Sequence, residues 1–332
     1  MRAIRIDTWT APDRLQVVDA PAPVCGTDDV LIRVHAAPVS FALSLLIQGK
    51  YQRRPDLPFV PGNTVAGEVV ACGSGVARFR PGERVVASLE FGGLAEYAAA
   101  PAACTYSIPD SLPFAEATAF NTAYNSALAA LTWPRLLAVA AGETVLILGA
   151  AGNVGTAATE IARACGATVI AAASTPAKRD WALRHGAHHV VAAGSDTLAE
   201  EVRALTAGTG VDAVLDPVGG ALTRSALSCL RPEGRLLPIG FASGEIPQIP
   251  ANIVMVKNLT ICGLYMGFYK IDARVRHEAA VRALFDRLGR LHRDGAIRPD
   301  IAARFPLDAA AAAFAAVLDR GRMGHVVVTP QR

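Results

Sequence analysis

Apolar and charged residues alternate from the start of the chain: Ile4 and Ile6 stand between Arg2, Arg5 and Asp7. Similar short runs follow, such as Val30-Leu31-Ile32-Arg33-Val34 and Gly67-Glu68-Val69-Val70, with Pro and Gly turns between them. A period near two, broken by turn residues, predicts a compact and mostly β domain through about residue 110. From Glu143 the pattern changes. Apolar strands at Thr144–Leu148, Thr168–Ala173, Val190-Val191, Ala213-Val214-Leu215-Asp216, Arg235–Ile239 and Leu259–Cys262 alternate with amphipathic helices, the first running to Cys165. Strands that are apolar throughout are buried on both faces, so the alternation predicts an α/β domain with a doubly wound parallel sheet. After Tyr269 come an Arg-rich helical stretch, an Ala-rich helix at Ala309 to Ala313 and a last strand, Val326-Val327-Val328. This tail is too small for a third core and is expected to fold back onto the N-terminal domain. No repeat or low-complexity linker interrupts the order.

A length of 332 residues agrees with two domains at about 150 residues each. The net charge is only +3, and Lys and Arg are spread along the chain, so no nucleic-acid partner is expected. Cys25, Cys72, Cys104, Cys165, Cys229 and Cys262 are far apart, with no C-x-x-C and no His at ligand spacing. A reduced, cytoplasmic chain without a metal is the simplest expectation. The alternating N-terminus is unlike the unbroken apolar core of a signal peptide. The longest uncharged stretch, Ala117 to Pro134, contains Asn121, Asn125 and Ser126, which suits a buried, interrupted helix and not a membrane span.

The strand Val145-Leu146-Ile147-Leu148 runs into Gly149-Ala150-Ala151-Gly152-Asn153-Val154-Gly155, and a helix follows at once. Small residues at 150 and 152 let the backbone turn tightly and approach a pyrophosphate, Gly155 lets helix and strand pack closely, and the helix N-terminus offers N–H groups to phosphate. Strand, turn, helix and second strand together predict a Rossmann dinucleotide site. NAD-specific sites of this kind carry an acid about 20 residues beyond the glycines. Here Ala172-Ala173-Ser174 stands in that place, with Lys178 and Arg179 following. A 2′-phosphate meets no carboxylate there and finds a hydroxyl and two cations, so NADPH is the expected cofactor.

Several motifs in one order carry a resemblance: Pro61-Gly62-Asn63-Thr64-Val65-Ala66-Gly67-Glu68-Val69, Pro81-Gly82-Glu83-Arg84-Val85, the glycine turn, Gly210 through Gly220 and Lys257-Asn258-Leu259-Thr260. The chain resembles the medium-chain dehydrogenase/reductase superfamily, in particular its quinone oxidoreductase branch. The resemblance implies a GroES-like catalytic domain over residues 1–122, completed by 267–332, a Rossmann domain over 123–266, and a homodimer. It extends the candidate cofactor residues to Thr122, Val218, Gly240, Phe241, Leu264, Tyr265, Met266 and His325. Zinc enzymes of the superfamily have Gly-His-Glu where Gly62-Asn63-Thr64 stands, and a catalytic Cys near Ser40. Asn and Ser are poor zinc ligands, so no metal is expected. Cys25-Gly26-Thr27-Asp28 spells the zinc enzymes' tetrapeptide before the strand and not after it, and is taken as a turn.

Without zinc the carbonyl needs hydrogen-bond donors, or the hydride goes to a conjugated carbon whose charge spreads to a distant oxygen. Quinones and α,β-unsaturated carbonyl compounds are the expected acceptors. Ile47-Gln48-Gly49-Lys50-Tyr51 is similar to the enoyl thioester reductases, where the matching Tyr is the proton donor, so enoyl-CoA is the second reading. Tyr51, Thr122 and Ser40 are the candidate catalytic residues. The branch has Asn-Phe-x-Asp where this chain has Ser40-Phe41-Ala42-Leu43. An NADPH-binding protein without turnover, like the crystallin and RNA-binding relatives, is the non-enzyme alternative.

Overall fold

The alternating segments become strands. In the computed structural model, which describes every residue except Gln52, Ser195, Asp196 and Arg332, the first part of the chain forms β1 (Arg2–Ile4), β2 (Val17–Asp19), β3 (Asp29–Val39), β4 (Thr64–Cys72), β5 (Arg84–Ser88), β6 (Tyr97–Pro101) and β7 (Thr105–Ser107). The second part forms β8 (Thr144–Ile147), β9 (Thr168–Ala173), β10 (His189–Ala192), β11 (Val211–Asp216), β12 (Leu230–Pro238) and β13 (Thr260–Ile261), and β14 (Ile301–Pro306) and β15 (His325–Thr329) close the chain. The helices are α1 (Phe41–Ile47), α2 (Phe114–Ala119), α3 (Asn125–Thr132), α4 (Asn153–Ala164), α5 (Pro176–Arg184), α6 (Leu198–Leu205), α7 (Gly220–Cys229), α8 (Ala251–Val256), α9 (Arg274–Arg293) and α10 (Ala310–Leu318). Two π-helical turns, Phe120–Tyr124 and Phe268–Asp272, add to these.

The chain divides into two compact units. Met1–Thr122, Gly267–Phe285 and Pro299–Arg332 form the first; Ala123–Met266 and Asp286–Arg298 form the second. The tail expected to return whole to the first domain is therefore split, with Asp286–Arg298 in the second unit. The amphipathic pattern of α9 marks a buried face without saying which core buries it.

In the first unit the sheet order is β14-β15-β3-β4-β5-β7, with β6 also on β3. All pairs are antiparallel except β14 with β15. In β3, Val30, Ile32 and Val34 are buried and Arg33 is exposed, the alternation that a sheet with one wet face requires. Helix α10 buries Ala310, Ala313, Phe314 and Val317, one helical stripe, and these join Ile32, Val65, Val85 and Val326 in one core.

The second unit has a six-stranded sheet in the order β10-β9-β8-β11-β12-β13, every pair parallel. Val145, Leu146, Ile147, Val169, Ala171, Val214 and Leu215 are fully buried, as strands covered on both faces must be. The order reverses between β8 and β11, so the loops after these strands open a crevice at the switch point, where ligands of open α/β sheets bind. The uncharged stretch from Ala117 is a buried helical segment interrupted at Phe120–Tyr124, and no helix among the described residues is long and apolar enough to cross a membrane.

Candidate active site

Gly149 ends β8 with φ +55°, a left-handed conformation that favours glycine, and the chain then turns into α4. A Cβ on Gly155 would lie 2.3 Å from the Gly149 oxygen and 2.7 Å from the Ala150 Cα, so only glycine lets the first turn of α4 rest on the loop. Gly152 caps α4 without a side-chain bond, which leaves the first-turn N–H groups facing outward from the helix end. Asn153 and Val154 begin that turn, while Ala150 and Ala151 are buried beneath it. This cradle fits a pyrophosphate.

Hydrogen bonds draw the Val218 turn and the Gly240-Phe241 segment together. At the C-terminal end of β11 the buried Asp216 accepts from the N–H of Val218 at 2.7 Å and of Gly219 at 2.9 Å, and from the Thr223 hydroxyl. This fixes the Val218 turn, whose side chain leaves 2.8 Å to a Cβ on Gly149. The Pro217 and Val218 carbonyls accept from Ala242 and Ser243, which ties the Gly240-Phe241 segment to the same turn. Phe241 is 37% exposed and Tyr265 50%, with Leu264 and Met266 half-buried beside the latter. At the end of β9, Ser174 is exposed and Thr175 caps α5 by accepting from the Lys178 N–H. Arg179 reaches back to the Ala173 carbonyl at 3.3 Å, so Ser174, Lys178 and Arg179 all stand at this helix start, and the sequence from Ala172 to Arg179 carries no acid.

A separate cavity of about 500 Å³ in the second unit is lined by Glu160, Arg163, Arg184, His185 and Arg298, at the far end of α4 from the glycine turn. Its Glu160 is already satisfied by Tyr124 Oη at 2.8 Å, His185 Nδ1 at 2.6 Å and the Arg298 N–H at 3.0 Å.

The catalytic candidates belong to the first unit. Ser40 is the N-cap of α1, its Oγ accepting from the Leu43 N–H at 3.2 Å. The helix ends at Gln48, and Gly49 takes φ +68° with the Trp9 ring 2.9 Å from where a Cβ would be. That explains the glycine of Ile47-Gln48-Gly49-Lys50-Tyr51: it stops α1 and places Tyr51, half-buried, against the core. Thr122 lies in the first π-helical turn, its hydroxyl donating to the Thr118 carbonyl at 2.9 Å. Beside it, Asn121 is fully buried; it accepts from Ser88 Oγ at 2.9 Å and donates to Thr64 Oγ1 at 3.2 Å. His325 opens β15, completely buried, and burial pushes its imidazole down to about 3, so it is neutral.

Two family models match: the alcohol dehydrogenase GroES-like domain over residues 26–110 and the zinc-binding dehydrogenase over 153–282. The quinone oxidoreductase-like protein 2 homolog of Nematostella vectensis is 36% identical across 92% of this chain and 83% of that protein. The quinone oxidoreductase of Homo sapiens is 31% identical across 99% and 97%. This chain belongs to the quinone oxidoreductase branch of the medium-chain dehydrogenase/reductase superfamily. Among solved structures, mycobacterial Rv1454c complexed with NADPH has a TM-score of 0.90 at 30% identity, covering 99% of this chain and all of that one (100%). The Pseudomonas syringae quinone oxidoreductase has a TM-score of 0.90 at 27% identity, covering 99% of each chain.

Within this branch the first unit is the GroES-like domain and the second the Rossmann domain. Of the residues that the sequence resemblance set against zinc ligands, Ser40 is a helix cap, Asn63 is exposed and Thr64 accepts from the Asn121 amide. Among the described residues no three of His, Cys, Asp and Glu gather in a metal-binding group. Sequence reading missed Asp216, Asn121 and Ser88 as site-building residues. Asp216 had a signal, a carboxylate ending an apolar strand, which must be satisfied if buried. Asn121 had none, because its partners lie 33 and 57 residues away.

Proposed function

We propose that this chain is an NADPH-dependent reductase that needs no zinc and delivers hydride to quinones or to the β-carbon of α,β-unsaturated carbonyl compounds. The observation that carries the reading is the chemistry at the former ligand positions: a capping serine, an exposed asparagine and a threonine bonded to a buried amide, none of them a zinc ligand type. The Rossmann cradle and the acid-free end of β9 support NADPH, as do relatives complexed with it.

NADPH supplies the hydride when bound. The first turn of α4 and its glycines would hold the pyrophosphate, and Ser174, Lys178 and Arg179 the 2′-phosphate. Val218, Phe241, Leu264, Tyr265 and Met266 of the Rossmann unit would line the nicotinamide half; in the GroES-like unit Thr122 is the cofactor candidate. Hydride addition to a conjugated acceptor leaves an enolate, and Tyr51 supplies or orients the proton that completes it, a phenol being protonated at neutral pH. The placing of Tyr51 by the Gly49 stop supports enoyl thioesters as a second acceptor class. A homodimer is supported by the open edge at β13, near which Ile246, Met255 and Val256 are 69–75% exposed. Dispersed free cysteines support a cytoplasmic protein.

NADPH oxidation by the purified protein, followed across quinones, enones and enoyl-CoA esters, tests the proposal. Turnover of at least one class that survives a chelator is expected. Binding of NADPH without turnover of any class would leave only a non-catalytic binding role, which a salt titration against RNA then examines.

A further inference from the structure

Two π-helical turns are joined by one buried cation. Lys270 lies in the turn Phe268–Asp272, and its Nζ donates to the backbone carbonyl of Asn121 in the turn Phe120–Tyr124. The carbonyl of Lys270 itself accepts from Cys104 Sγ at 2.8 Å, which fixes the turn from a third element. Among the described residues the ammonium has no carboxylate partner. The nearby acids are engaged elsewhere: Asp272 with Arg53, and Glu278 with Arg78 and Arg282. Arg274 bonds the Ile271 carbonyl, and burial holds the Cys104 thiol neutral by pushing it up to about 11. A methionine would fill the same space without the desolvation that a buried ammonium suffers. What the ammonium adds is a directed, charge-assisted bond to one carbonyl.

That carbonyl belongs to Asn121, whose side chain bridges Ser88 and Thr64 and whose neighbour is Thr122. On its other side the Lys270 turn reaches the loop after Tyr51, because Asp272 pairs with Arg53, which also pairs with Glu90 at 2.8 Å. Building on the reductase reading above, we propose that Lys270 is a positioning residue of the reductase: its ammonium clamps the Asn121 carbonyl, locks the two π-helical turns together and so holds Thr122 and the Tyr51 loop in one arrangement. π-Helical turns are rare and gather at functional sites, where a side chain from outside the helix can set their geometry.

The clamp depends on charge. Burial pushes the ammonium down to about 7, so the proton leaves near neutral pH and the clamp weakens above it. The test uses Lys270→Met and Lys270→Arg in the full chain, with kcat and KM for the best acceptor followed from pH 5.5 to 9. For the wild type, kcat is expected to fall through one ionisation near pH 7 to a lower plateau. Lys270→Met should stay on the lower plateau at every pH, at least fivefold below the wild type at pH 6, and Lys270→Arg should keep the upper plateau to pH 9. The NADPH dissociation constant should change less than twofold in both. A Lys270→Met protein with the wild-type kcat and the wild-type limb overturns the proposal, and so does a limb that persists in Lys270→Arg.

Hydrogen exchange of residues 120–124 separates this from failure of the reductase reading and also covers a variant that folds poorly. If the wild type reduces no acceptor, that reading falls. Faster exchange at 120–124 in the wild type at pH 9 than at pH 6, after correction for intrinsic rates, still supports the clamp; equal protection overturns it.

Discussion

Replacing Gly155 by alanine should separate cofactor binding from folding. The added Cβ would meet the Gly149 oxygen at 2.3 Å, the Gly149 carbon at 2.8 Å and the Ala150 Cα at 2.7 Å, all backbone atoms that cannot swing aside. Unstrained carbon pairs sit at about 3.5–4.0 Å, so the N-terminus of α4 must retreat by about 1 Å. Such overpacking costs about 1–3 kcal/mol, and the better helix propensity of alanine returns up to about 1 kcal/mol. The net loss of folding stability is therefore modest, about 0–2 kcal/mol, a few degrees in Tm. The effect on the cofactor is larger. Moving helix N–H groups 1 Å from a phosphate breaks charge-assisted bonds worth about 1.5–3 kcal/mol each. Loss of two raises the NADPH dissociation constant by at least about a hundredfold. Gly152→Ala is the folding control: its nearest contact is the Gly149 oxygen at 3.3 Å, which need give only slightly, and its φ is −79°, so its Tm should fall less than that of Gly155→Ala. NADPH fluorescence titration and thermal unfolding of both variants decide the matter. Wild-type affinity in Gly155→Ala would show that this turn is not the phosphate cradle.

Asp216→Ala leaves the Val218 and Gly219 N–H groups and the Thr223 hydroxyl without their acceptor, and at about 1–3 kcal/mol for each buried group it should lower stability by more than about 3 kcal/mol in denaturant unfolding. His325 has a folded pKa of about 3 against about 6.5 unfolded, so the unfolded state takes the proton first: its contribution is complete above pH 6.5 and is lost as pH falls towards 3. Between pH 7 and 4 the wild type should accordingly lose more stability than His325→Gln, by up to about 1.4 kcal/mol for each pH unit below 6.5, in paired urea titrations; parallel curves would show that the imidazole is not buried neutral. Tyr51→Phe should lower kcat for an enone by about 10²-fold or more with NADPH affinity unchanged, whereas full retained kcat would mean that solvent supplies the proton. Lys178→Ala should raise KM for NADPH and leave that for NADH alone; equal values for wild type and variant would remove Lys178 from the 2′-phosphate site.

The Rossmann unit was legible because its signals are local. A strand, a glycine turn and a helix follow one another within 20 or so residues, and the crowding at Gly155 and the positive φ at Gly149 are what such a turn needs. The stop at Gly49 was legible only as part of a resemblance, since its reason, the Trp9 ring above it, lies 40 residues away. The buried network at Asn121 was not legible at all. Thr64, Ser88, Asn121 and Lys270 are ordinary polar residues in sequence, and only the fold brings them together in the core of the GroES-like unit. The interruption of the helix after Ala117 was anticipated from Asn121 and Asn125, but its π-helical form depends on contacts that composition does not carry. That Asp286–Arg298 falls in the second unit was not legible for the same reason: helical periodicity in α9 gives a face and not a partner.

This family member is expected to reduce its acceptor with NADPH and without zinc. Steady-state oxidation of NADPH and of NADH with a quinone and an enone, on protein dialysed against a strong chelator and checked for metal content, tests it most directly. Full activity in the metal-free protein is expected, with kcat/KM for NADPH at least tenfold above that for NADH. Activity that disappears with about one zinc per chain and returns when zinc is restored, or a preference for NADH, would contradict it.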